Sequence, residues 1–191
     1  MKKGLNTTLT VISKITEIFH WIAAGLGGLL LFISSVDKKF FPEAIAEDGG
    51  AEFASYGFEV SALTESGQFN GYATTMFCIG TIISCILMAL VFRNINIILR
   101  TIAGKYKHAE SASPFQLDVV RRVREIGIFA IAIPVISLIL SIIFGTISSL
   151  NGLSIDIVTS FDGVIIGLVC LFLTQIFSYG AKLEEDVDGL V

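Results

Sequence analysis

The residues of this chain with chemistry beyond packing and charge are few: two histidines, three cysteines and a scatter of hydroxyls and amides. Glu17-Ile18-Phe19-His20 is a single Glu-x-x-His, the spacing that places a carboxylate and an imidazole on one helix face in di-iron bundles. A metal centre of that kind needs a second such motif. The other histidine, His108, falls in a polar segment, and Ser66–Phe92 and Ile126–Ile155 contain no Asp or Glu. With Trp21 alongside, Glu17 and His20 read as an interfacial belt at one end of a span. Cys78, Cys85 and Cys170 form no C-x-x-C and lie in apolar surroundings, where cysteine serves as a small apolar residue. No G-x-S-x-G, H-E-x-x-H, phosphate-binding glycine loop or dinucleotide fingerprint occurs. These patterns call for no catalytic residue, no metal ion and no cofactor.

Polar side chains inside apolar runs are the next place to look, because they mark transport paths or interhelical contacts. The candidates are Gln175, Ser84, Ser137 and Ser141, with Gln175 read as glue between helices rather than as a substrate ligand. Charge concentrates elsewhere. Arg121, Arg122 and Arg124 cluster ahead of the third apolar run, and Glu184, Glu185, Asp186 and Asp188 follow the fourth. Both clusters are candidates for docking a partner, and for docking on each other.

The elements that carry these residues are apolar. Of the 191 residues 53% are hydrophobic and only 16% are charged, against about 25% charged in an ordinary soluble domain. Mean hydropathy is +0.80. A free-standing soluble domain, a disordered chain and a disulfide scaffold are all excluded. Uncharged runs of 19, 27, 30 and 19 residues cover Ile18–Val36, Ser66–Phe92, Ile126–Ile155 and Gly163–Ala181. A helix needs about 20 residues to cross the hydrocarbon, so each run makes one span, near 15–36, 71–92, 126–148 and 161–181.

Eleven of the 13 Lys and Arg residues flank these spans on one side, and only Lys38 and Lys39 lie on the other. The positive-inside rule then puts both termini in the cytoplasm. Ala44-Ile45-Ala46 has the pattern of a signal cleavage site, but the apolar run ahead of it is too long for a signal peptide. The outer loops are 37–70 and 149–160. In each, a short stretch alternates apolar and polar residues (Tyr56–Leu63 and Gly152–Val158), which either pair as strands capping the bundle or stay irregular. Phe40-Phe41-Pro42 reads as an interfacial anchor. On the cytoplasmic side, Ile95, Ile98, Leu99 and Ile102 continue one helix face beyond Arg93. Ala103-Gly104 suits a helix end, and Ser113-Pro114-Phe115-Gln116 reads as a capping box. Phe115, Val119, Val123 and Ile126 share a face of the next helix. Residues 93–125 thus form a helical hairpin with facing apolar stripes, and 182–191 an acidic tail. Pro134 should bend the third span.

Ser113-Pro114-Phe115, the run Val119-Val120-Arg121-Arg122-Val123-Arg124-Glu125-Ile126-Gly127 and the ending Ile176–Val191 resemble a bacterial four-span membrane family, catalogued as domain of unknown function 2975. The resemblance implies a bacterial inner membrane, no enzymatic activity and a small helix-turn-helix regulator as a cytoplasmic partner.

The fold expected is an all-α integral membrane protein: a four-transmembrane-helix bundle, 1–191 as one membrane domain, with a cytoplasmic helical hairpin and short extracytoplasmic strands. The function expected is non-enzymatic, an interaction or signalling-accessory protein. It would contact membrane lipids and a protein on the cytoplasmic face, make no direct contact with nucleic acid and have the option of homo-oligomers. A small transporter or immunity-type efflux protein is the alternative. An integral membrane enzyme comes third.

Overall fold

The computed structural model describes residues 3–48, 52–64, 66–106, 115–153 and 155–188. Helix α1 spans Lys3–Val36, α2 Phe40–Asp48, α3 Gly71–Ile102, α4 Leu117–Leu150 and α5 Asp162–Asp188. Strands β1 (Glu52–Ser55) and β2 (Phe58–Ser61) separate α2 from α3, and β3 (Ile157–Thr159) precedes α5. Four of the helices, α1, α3, α4 and α5, are long and apolar enough to cross a membrane. At 1.5 Å per residue, the 34 residues of α1 and of α4 extend about 51 Å, well beyond the hydrocarbon thickness.

The outward faces of these helices carry Ile15, Phe19, Phe32, Ile142, Ile166 and Phe172, all exposed. In water such surfaces would cost about 25 cal/mol per Å²; against acyl chains they cost nothing. Only 11% of the most apolar window of α5 is buried, against 39% of that of α3, so α3 is the helix most enclosed by protein.

Two compact units divide the chain. The first, here the basic-end unit, comprises Met1–His20, Leu87–Ile131 and Val164–Val191; the second, the sheet-end unit, comprises Trp21–Ile86 and Ala132–Gly163.

In the sheet-end unit each loop contributes strands, β2 falling within the alternating stretch Tyr56–Leu63 and β3 overlapping only the last two residues of Gly152–Val158. The sheet is antiparallel in the order β1-β2-β3, with Phe53 opposite Val60 and Glu59 opposite Val158. The first strand pair is a hairpin that begins earlier than the alternation suggested: Tyr56-Gly57 is its turn, with Gly57 at φ +83°, a conformation glycine adopts without strain. The sheet does not sit as a cap over the helices. Phe58 and Val60 point from β2 into a core with Ala73 and Met76, joined by Leu140 and Phe144 of α4. Phe41 is buried, edge-on to Phe53, so α2 packs on the protein and its Phe40-Phe41-Pro42 is no free interfacial anchor. The amide of Asn70 caps α3 through the Tyr72 N–H (3.0 Å) and donates to Ser148 Oγ (2.8 Å). That ties the start of α3 to the end of α4.

In the basic-end unit, α3 ends as its sequence indicated. Gly104 is at φ +66°, and the Lys105 N–H reaches back to Arg100 O at 2.9 Å, the closing bond of a Schellman cap. Residues 113–114 of the expected capping box lie outside the described residues. Helix α4 is described from Leu117. Gly127 of α4 and Gly167 of α5 face each other so closely that a Cβ on either would stand under 3.0 Å from the other's carbonyl oxygen. Small residues permit that approach, which is how helices gain dispersion contact in lipid. Farther along, Gly180 lies against the ring of Phe115, and Phe115 meets Phe177 edge-on.

Candidate functional site

The richest polar assembly lies in the basic-end unit, on two faces of α3. On the face toward α4, five side chains form one continuous chain. Arg121 Nε donates to Glu125 Oε1 (3.0 Å), and Asn94 Nδ2 donates to Glu125 Oε2 (3.1 Å). Arg122 Nη1 donates to Asn94 Oδ1 (3.2 Å), and Arg122 Nε donates to Asp118 Oδ2 (3.0 Å). The Arg122 guanidinium also lies 5.9 Å from the centroid of the Tyr106 ring, within range of a cation–π contact. Two arginines and two carboxylates cancel, and Asn94 bridges them with its donor and acceptor both used.

On the face toward α1, Asn96 Nδ2 donates to Thr10 O (2.8 Å) and to Ser13 Oγ (3.1 Å), and Asn6 Nδ2 reaches Leu99 O (3.3 Å). His20 of α1 meets α3 on this face through Phe92, and Glu17 lies three residues before it. Both are buried, Glu17 at 6% and His20 at 3% exposure, and so are not the interfacial belt their spacing beside Trp21 suggested. Glu17 pairs with Lys14 at 2.9 Å. His20 Nδ1 stands 2.7 Å from Thr16 O; since a carbonyl only accepts, Nδ1 is the donor in that bond. The ring stacks on Phe92 with centroids 5.5 Å apart. Trp21 is exposed, as a belt residue should be. Among the described residues no group of three His, Cys, Asp or Glu could hold a metal ion.

Sequence reasoning singled out the arginines and passed over the asparagines. It placed an apolar seam along Ile95, Ile98 and Leu99, yet those are half-buried while Asn94 and Asn96 are at 5% and 6%. The signal was present. Two asparagines in a helix otherwise written in Ile, Leu and Val are the residues expected to bond across helices. Val119 and Val123 are buried, as their spacing indicated.

Arg124 is exposed. The acids Glu184, Glu185 and Asp186 are exposed too, on a continuation of α5 that runs to Asp188, whose side chain lies outside the described ones. The tail is therefore helical over its described length. Proximity between tail and arginines does not follow from sharing one end of the bundle. Gly180 is opposite Phe115 and Gly167 opposite Gly127, so Arg121 is level with residues near 173. Glu184 is about 11 residues farther along α5, an axial offset of about 16 Å. Arg121 and Arg122 turn instead to the carboxylates of their own helix.

The intramembrane candidates separate. Gln175 is exposed on the outer face of α5, and it is Thr174 that turns inward, at 7% exposure, with its hydroxyl on Cys170 O (2.9 Å). Ser141 bonds Leu138 O within α4 (2.8 Å). Ser84 and Ser137, in the sheet-end unit, come together around one object, the Tyr56-Gly57 turn. Ser84 Oγ is 3.4 Å from Tyr56 O, and a Cβ on Gly57 would sit 3.0 Å from Ser137 Oγ and 3.6 Å from Pro134 Cα. Ser84 is 13 residues into α3 and Ser137 is 13 residues from the end of α4, so the hairpin reaches about 20 Å down both helices. Gly80 makes room for it: a Cβ there would meet the Phe58 ring at 2.5 Å. The outer face of the sheet carries Glu52, Glu59 and Asp156 around a groove and is a wet surface, since three carboxylates demand water.

Cys78 and Cys85 are buried and Cys170 half-buried, and all three are free thiols. No protein-family model, no curated protein and no solved structure matches the chain.

Proposed function

We propose that this is a non-enzymatic interaction protein of the bacterial inner membrane, a signalling accessory that meets its partner at the basic end. The observation that carries the reading is the filled space between α3 and α4. Ser84 and Ser137, the hydroxyls best placed to line a transport path, face a glycine turn of the chain itself. Gln175, the other path candidate, is on the outer face. Arg124, Glu185 and Asp186 are exposed at the basic end, and the excess of Lys and Arg there favours a cytoplasmic setting for both termini. The Ser-Pro-Phe start and the Arg-rich run ahead of Gly127 support membership of the four-span family described above, with a helix-turn-helix regulator as the partner to test first.

Photo-crosslinking residues placed at Arg124 and Glu185 in native membranes test this. A discrete protein adduct from both positions, and only lipid adducts from the apolar position Ile142, is the expected result. Lipid adducts alone from all three overturn it. Substrate flux through the purified protein in liposomes would favour the transporter reading.

A further inference from the structure

A second cavity of the sheet-end unit, of about 400 Å³, lies where α1 ends and α3 begins. It is distinct from the acidic groove on the sheet. Its walls include Ser34, Lys38, Phe41, Phe69, Gly71 and Tyr72, and its volume is within the range of small-molecule sites, roughly 300–1,000 Å³. Three features give it a chemistry. Lys38 is the one charged residue among those that line it, so the cavity favours an anion. The 32-residue helix α3 opens at Gly71, and since its Tyr72 N–H is taken by Asn70, the helix end adds a positive field to that of the lysine rather than a free donor. Ser34 and Tyr72 supply hydroxyls, and Phe41 and Phe69 supply apolar walls.

The position selects the ligand. Both flanking helices are apolar enough to cross a membrane, and the cavity stands at their ends, where headgroups lie. We propose that it binds an anionic phospholipid, with the phosphodiester over Lys38 and the first turn of α3 and the glycerol–acyl junction against Phe41 and Phe69. The inference rests on the four membrane-spanning helices and is independent of the interaction function proposed above. A side chain could start from Gly71 without a clash, since a Cβ there would meet only the edge of Phe69, at an ordinary contact distance of 3.6 Å.

Purified full-length protein, reconstituted in nanodiscs of mixed phosphatidylglycerol and phosphatidylcholine and read by native mass spectrometry, provides the test. The wild type should retain phosphatidylglycerol over phosphatidylcholine at least several-fold. Lys38→Glu should abolish the preference, and Lys38→Arg should keep it. Lys39→Glu makes the same change of charge one residue away, outside the lining, and should leave the preference intact. Gly71→Trp should remove it by filling the cavity, and the Lys38/Lys39 pair decides the matter if that variant fails to fold. Soluble glycerol phosphate should not displace the retained lipid. Equal retention by wild type and Lys38→Glu, equal losses in Lys38→Glu and Lys39→Glu, or displacement by glycerol phosphate alone would each overturn the proposal.

Discussion

Asn94 shows how much one amide can hold. It is 5% exposed and stands between Glu125 and Arg122 with both ends of its side chain engaged. Replacing it with leucine keeps the volume but leaves a carboxylate oxygen and a guanidinium N–H without that partner. Unmade bonds of this kind cost about 1–3 kcal/mol each. Asn94→Leu should therefore lower the thermal midpoint in detergent, and Asn94→Asp should do so by a different route, setting a third carboxylate against Glu125. A wild-type melting curve for Asn94→Leu would mean that the chain from Arg121 to Asp118 does not bear on stability. Gly80 is the apolar counterpart. A methyl there must displace Phe58, which is 1% exposed, and overpacking of this sort costs about 1–3 kcal/mol. Gly80→Ala should destabilise, and Phe58→Leu in the same molecule should recover part of the loss. Strict additivity in that double-mutant cycle would remove the contact.

At the scale of elements, the hairpin is the unusual part. Its second strand was legible from alternation and its first, Glu52–Ser55, was not; the pairing of one loop with the other was one of two readings the alternation left open. Its depth was not legible, because alternation reports which face a residue takes and nothing about which helices the strand lies between. Gly80 reads as a packing glycine in any helix, and only the ring of Phe58 opposite explains it. Depth and azimuth failed in the same way for Gln175: hydropathy placed it within a span, while the 100° between successive helical residues gave the buried position to Thr174. Helix ends were legible because they are local, as Gly104 and its bond to Arg100 illustrate. Depth can be measured. With the native cysteines replaced, Tyr56→Cys and Ser84→Cys in one chain should join through a short bifunctional thiol reagent in intact membranes, since Ser84 Oγ is 3.4 Å from Tyr56 O. A hairpin resting on top of the helices would leave that pair unlinked while still linking strand neighbours such as Phe53 and Val60.

For the molecule as a whole, sidedness is the first quantity to establish. Single cysteines at Lys39 and Asn151, both exposed at the sheet end, should react with an impermeant thiol reagent in intact cells. One at Lys182 should react only after permeabilisation. The opposite pattern would invert the orientation and with it the proposed partner. Another consequence lies in the pairing of α4 with α5. Gly127 opposite Gly167 and Phe115 opposite Gly180 set the charged stretch of α4 from Asp118 to Glu125 level with about residues 169–177 of α5, inside its apolar run. Exposed Arg121 and Arg124 thus stand at the depth of exposed Val169, Phe172 and Leu173 on the neighbouring helix. No flat water boundary satisfies both. Long guanidinium side chains can reach upward for headgroups, and a bilayer can thin locally at a cost of fractions of a kcal/mol per Å of mismatch. The pair of α4 and α5 in the basic-end unit should then strain the bilayer beside it. The protein's thermal midpoint should fall as phosphatidylcholine acyl chains lengthen, and a midpoint indifferent to chain length would show that the two helices meet the lipid at one level. A chain with this ragged waterline would gather where the bilayer is already thin or curved.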